Sequence, residues 1–233
     1  MWRGQKKFFY DITNRNEKED DKVGFFNPEG KLFQILNKWF DLFVLNLIFV
    51  ATCIPIITIG AGMTAMYYVT LKIVKDQESY VFKSYWKSFK QNFKQATAIW
   101  LLFLGAFLLF CLDFNFAGKM ANPYFKYLFV CLSIFEGLIF CYVFPILSRF
   151  ENTVKNTIKN AMMMSIRHLP WSILLLFMNL SPVLVGMIPS ATVKSILIEF
   201  MFLIGFSLIA FLCSWCLAER IFPNYMPEKA ENE

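Results

Sequence analysis

The sequence predicts an all-α integral membrane protein, a helical bundle of six transmembrane helices, with five spans plus a re-entrant helix as the alternative. Three observations carry that prediction. Of the 233 residues, 57% are hydrophobic and 28 are Phe, against an apolar content of about 45–50% in soluble domains. The apolar residues gather into runs of the roughly 20 residues that cross an about 30 Å hydrocarbon core, most clearly at 96–117, 127–147 and 196–217. Basic residues then collect beside alternate span ends, as expected of loops that share one side of a membrane.

The elements follow in order. Residues 1–38 read as a cytoplasmic N-terminal tail, carrying the charged run Glu17-Lys18-Glu19-Asp20-Asp21-Lys22. A secretory signal would instead show a short basic region leading straight into an apolar one, so the first span is expected to be retained. That span opens at about Trp39. The apolar block 39–59 is followed by Gly60-Ala61-Gly62 and a second stretch, 63–74. Gly and Pro are the strongest breakers of a helical run. Pro55 and the glycines therefore predict a hairpin of two helices with its turn near 58–62. The transmembrane domain extends over 39–217, with cytoplasmic loops at 75–95 and 149–169, and a C-terminal tail at 218–233.

Charge chooses between six spans and five. With six, the inner side holds 8 Lys/Arg in the N-terminal tail, 6 from Lys72 to Lys94, 4 from Arg149 to Arg167 and 2 in the C-terminal tail, leaving Lys119, Lys126 and Lys194 outside. With five, the two richest clusters face opposite ways. Six spans with both termini cytoplasmic, in the plasma membrane, fit the rule that Lys and Arg stay inside.

Polar residues within the spans are the candidate functional positions. Glu136 lies near the middle of the fourth span. An ionisable group at that depth is a functional hypothesis by default: it could relay protons, bind a cation, or donate an interhelical hydrogen bond, the last being the plainest reading. Asn46 and Asn179 sit deep enough to need partners, and interhelical bonds are again the economical assignment. Pro55 and Gly60 mark the broken hairpin, and Pro145 and Pro182 predict kinks. Asp41, Asp113 and Glu199 fall near span ends, where headgroup water reaches them.

Enzyme chemistry finds no support. His168 is the only histidine and stands beside Arg167 at a span mouth, without the three or four ligands a metal site requires. No nucleophile–base pair or Gly-rich phosphate loop is present, and no cofactor is expected. The six cysteines fall within or beside apolar runs; Cys213 and Cys216 make a C-x-x-C spacing without the flanking strand that gives such a pair redox meaning.

The first inner loop carries the strongest surface pattern. At about 100° per residue, Phe82, Tyr85, Trp86, Phe89 and Phe93 form one stripe, and Lys83, Lys87, Lys90 and Lys94 a second beside it. Such a helix suits the lipid interface, with aromatics inserted and lysines on anionic headgroups, or equally the groove of a partner. Residues 151–168 repeat the theme with Val154, Ile158, Met162 and Ile166 at spacing four. The formal net charge of +6 is accounted for by the inner leaflet, and nucleic acid is not an expected partner.

Several segments together resemble a known family. They are Phe25-Phe26-Asn27-Pro28-Glu29-Gly30, Leu45-Asn46-Leu47, Ile54-Pro55-Ile56-Ile57-Thr58-Ile59-Gly60-Ala61-Gly62, Tyr67-Tyr68, Phe89-Lys90-Gln91-Asn92-Phe93-Lys94-Gln95-Ala96, Phe144-Pro145 and Ile158-Lys159-Asn160-Ala161. Over about residues 25–220 the chain resembles the YesL-like family of bacterial membrane proteins, a domain of unknown function. The resemblance implies no catalytic residues. It implies a context: members are typical of Gram-positive bacteria and are often encoded beside carbohydrate-uptake ABC importers. The resulting expectation is a non-catalytic accessory subunit contacting the lipid bilayer and ABC permease subunits. A self-sufficient small transporter or channel is the alternative.

Overall fold

The computed structural model describes residues 31–77, 80–117 and 124–225, and all regular structure among them is helical. Among the described residues six helices are long and apolar enough to cross a membrane, so the chain is a multi-pass membrane protein whose outward apolar side chains meet the bilayer. Residues 1–30, which include the motif at 25–30, Lys119, and residues 226–233 lie outside the described residues.

The chain divides into two units, Met1–Asp41 and Leu42–Glu233. In the first, residues 31–41 form the opening turns of helix α1 (Lys31–Thr52) and expose Phe33, Ile35, Leu36, Trp39 and Phe40. The helix thus starts eight residues before the apolar block that predicted it, because 31–38 contains no Pro or Gly to stop it.

In the second unit, α1 ends at Thr52 and the turn follows at once. Pro55 precedes a single 3-10 turn, Ile56–Thr58, whose Thr58 amide and hydroxyl both bond Pro55 O. Helix α2 then runs over Ile59–Val74. The predicted turn at 58–62 is therefore displaced. Proline, which lacks an amide hydrogen, makes the break, whereas Gly60 and Gly62 are helical and buried. Their role is closeness. A Cβ on Gly60 would lie 2.5 Å from both Ala96 O and Trp100 Cβ, so a side chain there would drive the next helix away. A small residue at a helix contact lets membrane helices approach backbone to backbone. Ala61, Ala65, Val69 and Thr70 continue this buried face.

Helix α3 spans Val81–Ala117. At 37 residues it is about 55 Å long, well beyond the roughly 30 Å of hydrocarbon. The separate interfacial helix expected at 80–95 is thus the beginning of the third span. With Gly105 as its only glycine and no proline, nothing in α3 breaks the run. Helix α4 (Tyr124–Arg149) carries Pro145, α5 (Val154–Arg167) is a short amphipathic connector, and α6 (Leu169–Gly186) carries Pro182. Thr153 caps α5 by accepting the Asn156 amide, as N-cap hydroxyls do. Helix α7 (Ala191–Asn224) is continuous through π turns at Met201–Gly205 and Leu217–Ile221 and extends into the stretch expected to be the C-terminal tail.

One end of the second unit gathers the end of α2, the start of α3, the end of α4, α5 and the end of α7. Lys72 Nζ donates to Ser84 Oγ (3.3 Å), Phe150 meets Phe222 edge-on at 5.7 Å, and His168 Nε2 lies 3.1 Å from Tyr225 Oη. The described basic residues are concentrated here.

Candidate functional site

Four intramembrane or interfacial constellations emerge, beginning with the two asparagines. Asn46, fully buried on α1, reaches α7 at its first π turn. Its Nδ2 donates to Met201 O (3.2 Å) and Phe202 O (2.6 Å), while Oδ1 accepts from the Ser207 amide (2.9 Å). A π turn disturbs the regular backbone ladder, and the amide of Asn46 engages the groups there. Ser207 Oγ completes the joint by donating to Leu42 O at 2.7 Å.

Asn179 on α6 also faces α7. Its Nδ2 donates to Leu175 O (2.9 Å) and to Cys213 Sγ (3.5 Å), and its Oδ1 receives Tyr67 Oη at 3.5 Å. Asn179 and Tyr67 border an apolar cavity of about 550 Å³ between α1, α2, α6 and α7, walled by Phe49, Met63, Met66, Phe206 and Ile209. Cys213 and Cys216 are both buried free thiols. Among the described residues no group of three or more His, Cys, Asp or Glu could hold a metal ion.

Glu136 occupies a different place. It lines a cleft of about 720 Å³ between α3, α4 and α6, and its Oε1 is buried without a hydrogen-bond partner. The cleft is walled by rings, including Trp100, Phe103, Phe110 and Phe129. Asp113 is half-buried and Glu199 exposed; Asp41 is half-buried and engaged with a neighbour.

The fourth constellation lies at the basic end. Lys87, Lys90 and Lys94 on α3 and Arg149 on α4 surround a polar cleft of about 1000 Å³ that also contains Asn92 and Glu151. Cations crowd this end. Partial burial and then Arg149 hold the Lys75 ammonium below its usual range, and burial and then Arg167 lower His168 below 6.5. Aromatics of the predicted stripe touch in sequence: Tyr85 stacks on Phe89 at 6.1 Å, Trp86 meets Phe89 edge-on at 5.3 Å, and Phe89 meets Phe93 at 5.5 Å. The stripe nevertheless splits. Tyr85 turns inward and shares a hydrogen bond with Thr52, while Phe82 stays 63% exposed and Phe93 lies at the surface.

Of the predicted positions, Pro55 makes the turn and Gly60 the close helix contact; neither lies with Glu136. Two joints escaped sequence reasoning: Tyr142 Oη to Ser172 Oγ (2.8 Å) and Thr70 Oγ1 to Ser214 Oγ (2.7 Å). Hydroxyls give no pattern from which such distant pairs could be chosen.

Residues 42–114 match the model of a family described as "Protein of unknown function, DUF624". The match bears out the resemblance to a family of unknown function, over the end of α1, all of α2 and α3 as far as Phe114. Asn46, Pro55, Gly60 and the aromatic–lysine turns fall inside it; Glu136 and Asn179 fall outside. No curated protein and no solved structure matches the chain.

Proposed function

We propose that the chain is a non-catalytic accessory membrane subunit of a carbohydrate ABC importer, which packs against the permease and aids its assembly or regulation. The carrying observation is the basic end. The first turns of α3 project Lys83, Lys87, Lys90 and Lys94 beside exposed Phe82 and Phe93, and α5 adds exposed Met162, Met163 and Ile166. Aromatic and Met side chains ringed by cations are the composition of an interaction surface. Lys and Arg mark the inner side, so this end faces the cytoplasm, with both termini, in the plasma membrane. The carbohydrate assignment rests on the context that the family resemblance implies.

Internal chemistry supports a structural role: Asn46, Thr70, Tyr142 and Asn179 use their polar atoms on neighbouring helices. The test is purification in mild detergent together with a carbohydrate importer permease encoded beside the gene. Stoichiometric recovery, lost in a Phe82→Ala/Phe93→Ala/Lys87→Glu variant that remains monodisperse, is expected. Clean separation of the wild-type proteins overturns the proposal.

One observation favours the transporter reading instead, namely the unpartnered oxygen of Glu136. Substrate flux in liposomes that is abolished by Glu136→Gln would establish it.

A further inference from the structure

We propose that the cleft between α3, α4 and α6 is a binding site for a lipophilic organic cation, which enters from the bilayer and places its charge against Glu136. The inference is independent of the permease assignment.

The argument begins with an oxygen. Glu136 lines the cleft and is half-buried, and its Oε1, packed within the protein, has no hydrogen-bond partner. A half-buried carboxyl set among apolar walls is poorly solvated, and a positive charge placed beside it in the cleft offsets that cost. Nothing lining the cleft provides one. Among the described lining residues Glu136 carries the only charged side chain, and no Lys or Arg is present.

The walls define the remaining chemistry. Trp100 and Phe103 both pack on Phe140, with centroids 6.1 and 5.7 Å apart, one turn beyond Glu136 on α4. Ring faces attract cations, most strongly when these have shed water, so carboxylate and rings favour the same sign of charge. The volume of about 720 Å³ falls within the 300–1,000 Å³ typical of small-molecule sites. Access is lateral: Phe107, Ile134 and Val183 at the rim are 53, 50 and 61% exposed, on the surface that meets lipid. A hydrophobic body soluble in the bilayer, bearing a delocalised or quaternary positive charge, meets all of these conditions.

The experiment uses the full chain purified in nanodiscs, with radiolabelled tetraphenylphosphonium as the probe. Saturable binding is expected, weakened at least about tenfold by Glu136→Gln, which keeps the shape and removes the charge. Neutral triphenylphosphine oxide should compete at least about tenfold more weakly than unlabelled tetraphenylphosphonium. Ser133, one turn before Glu136, also lines the cleft; Ser133→Phe fills the space with the carboxyl intact and should abolish binding. Should Glu136→Gln fail to fold, the oxide competition and Ser133→Phe decide. Absence of saturable binding, equal competition by the oxide, wild-type affinity in Glu136→Gln, or wild-type affinity in Ser133→Phe each overturns the proposal. Failure here leaves co-purification with a permease untouched, and the reverse also holds.

Discussion

Replacing Asn46 by Leu tests the most specific joint in the bundle. The substitution keeps the side-chain volume closely and removes three hydrogen bonds at once, to Met201 O, Phe202 O and the Ser207 amide. Interhelical side-chain bonds in membranes average about 0.6 kcal/mol and reach about 1.7. Three of them therefore amount to about 2–5 kcal/mol, and the Ser207 amide, buried with its residue, gains no water in exchange. For a chain of this size each kcal/mol shifts the midpoint by about 2–4 °C, so the expected fall is on the order of 10 °C. Thermal unfolding in detergent, followed by loss of the monodisperse chromatographic peak, reads it directly. Asn46→Asp supplies the internal comparison: it retains an acceptor for the Ser207 amide but sets a buried carboxylate against Met201 O and Phe202 O, and should fall below Leu. A Leu variant within 1 °C of wild type would refute the view that Asn46 secures the π turn, since its groups would then be satisfied equally well without it.

Three further outcomes follow from the same structure. Gly60→Val should destabilise by more than the about 1–3 kcal/mol usual for overpacking, because its Cβ meets the Ala96 backbone; a melting curve like that of wild type would refute the close α2–α3 contact. His168 is held below 6.5 by partial burial and then by Arg167. The unfolded chain thus binds more protons than the native one as pH falls through that window, and stability decreases; melting at pH 7.5 and pH 5 should show a smaller loss in His168→Asn than in wild type. Reporters fused separately to the two termini should both register the cytoplasm, and opposite compartments would remove the six-span topology.

The count of spans was legible in the sequence. So was the concentration of positive charge at one end, which the structure gathers from α2, α3, α4, α5 and α7. Two local readings failed for identifiable reasons. Sequence alone casts Gly60 and Gly62 as breakers because isolated glycine disfavours helix, yet in a membrane the same missing Cβ serves close packing, and Pro55 makes the turn. The aromatic–lysine segment reads as a separate helix because composition changes near Ala96; composition changes where the solvent changes, while the backbone continues unbroken to Ala117. The candidate site divides likewise. Asn46, Asn179 and Glu136 stood out as polar residues in apolar runs, whereas Tyr142 with Ser172 and Thr70 with Ser214 did not.

By itself, the sequence determined that the chain is a membrane protein, which segments are long and apolar enough to cross, and where positive charge collects. Those properties depend on segment length and transfer from water, which each segment carries locally. Tertiary structure alone decided that Asn46 meets a π turn 155 residues away and that a buried oxygen of Glu136 has no hydrogen-bond partner. A helix apolar on every side gives no periodic signal of its rotation about its own axis, and that rotation selects which polar groups find partners.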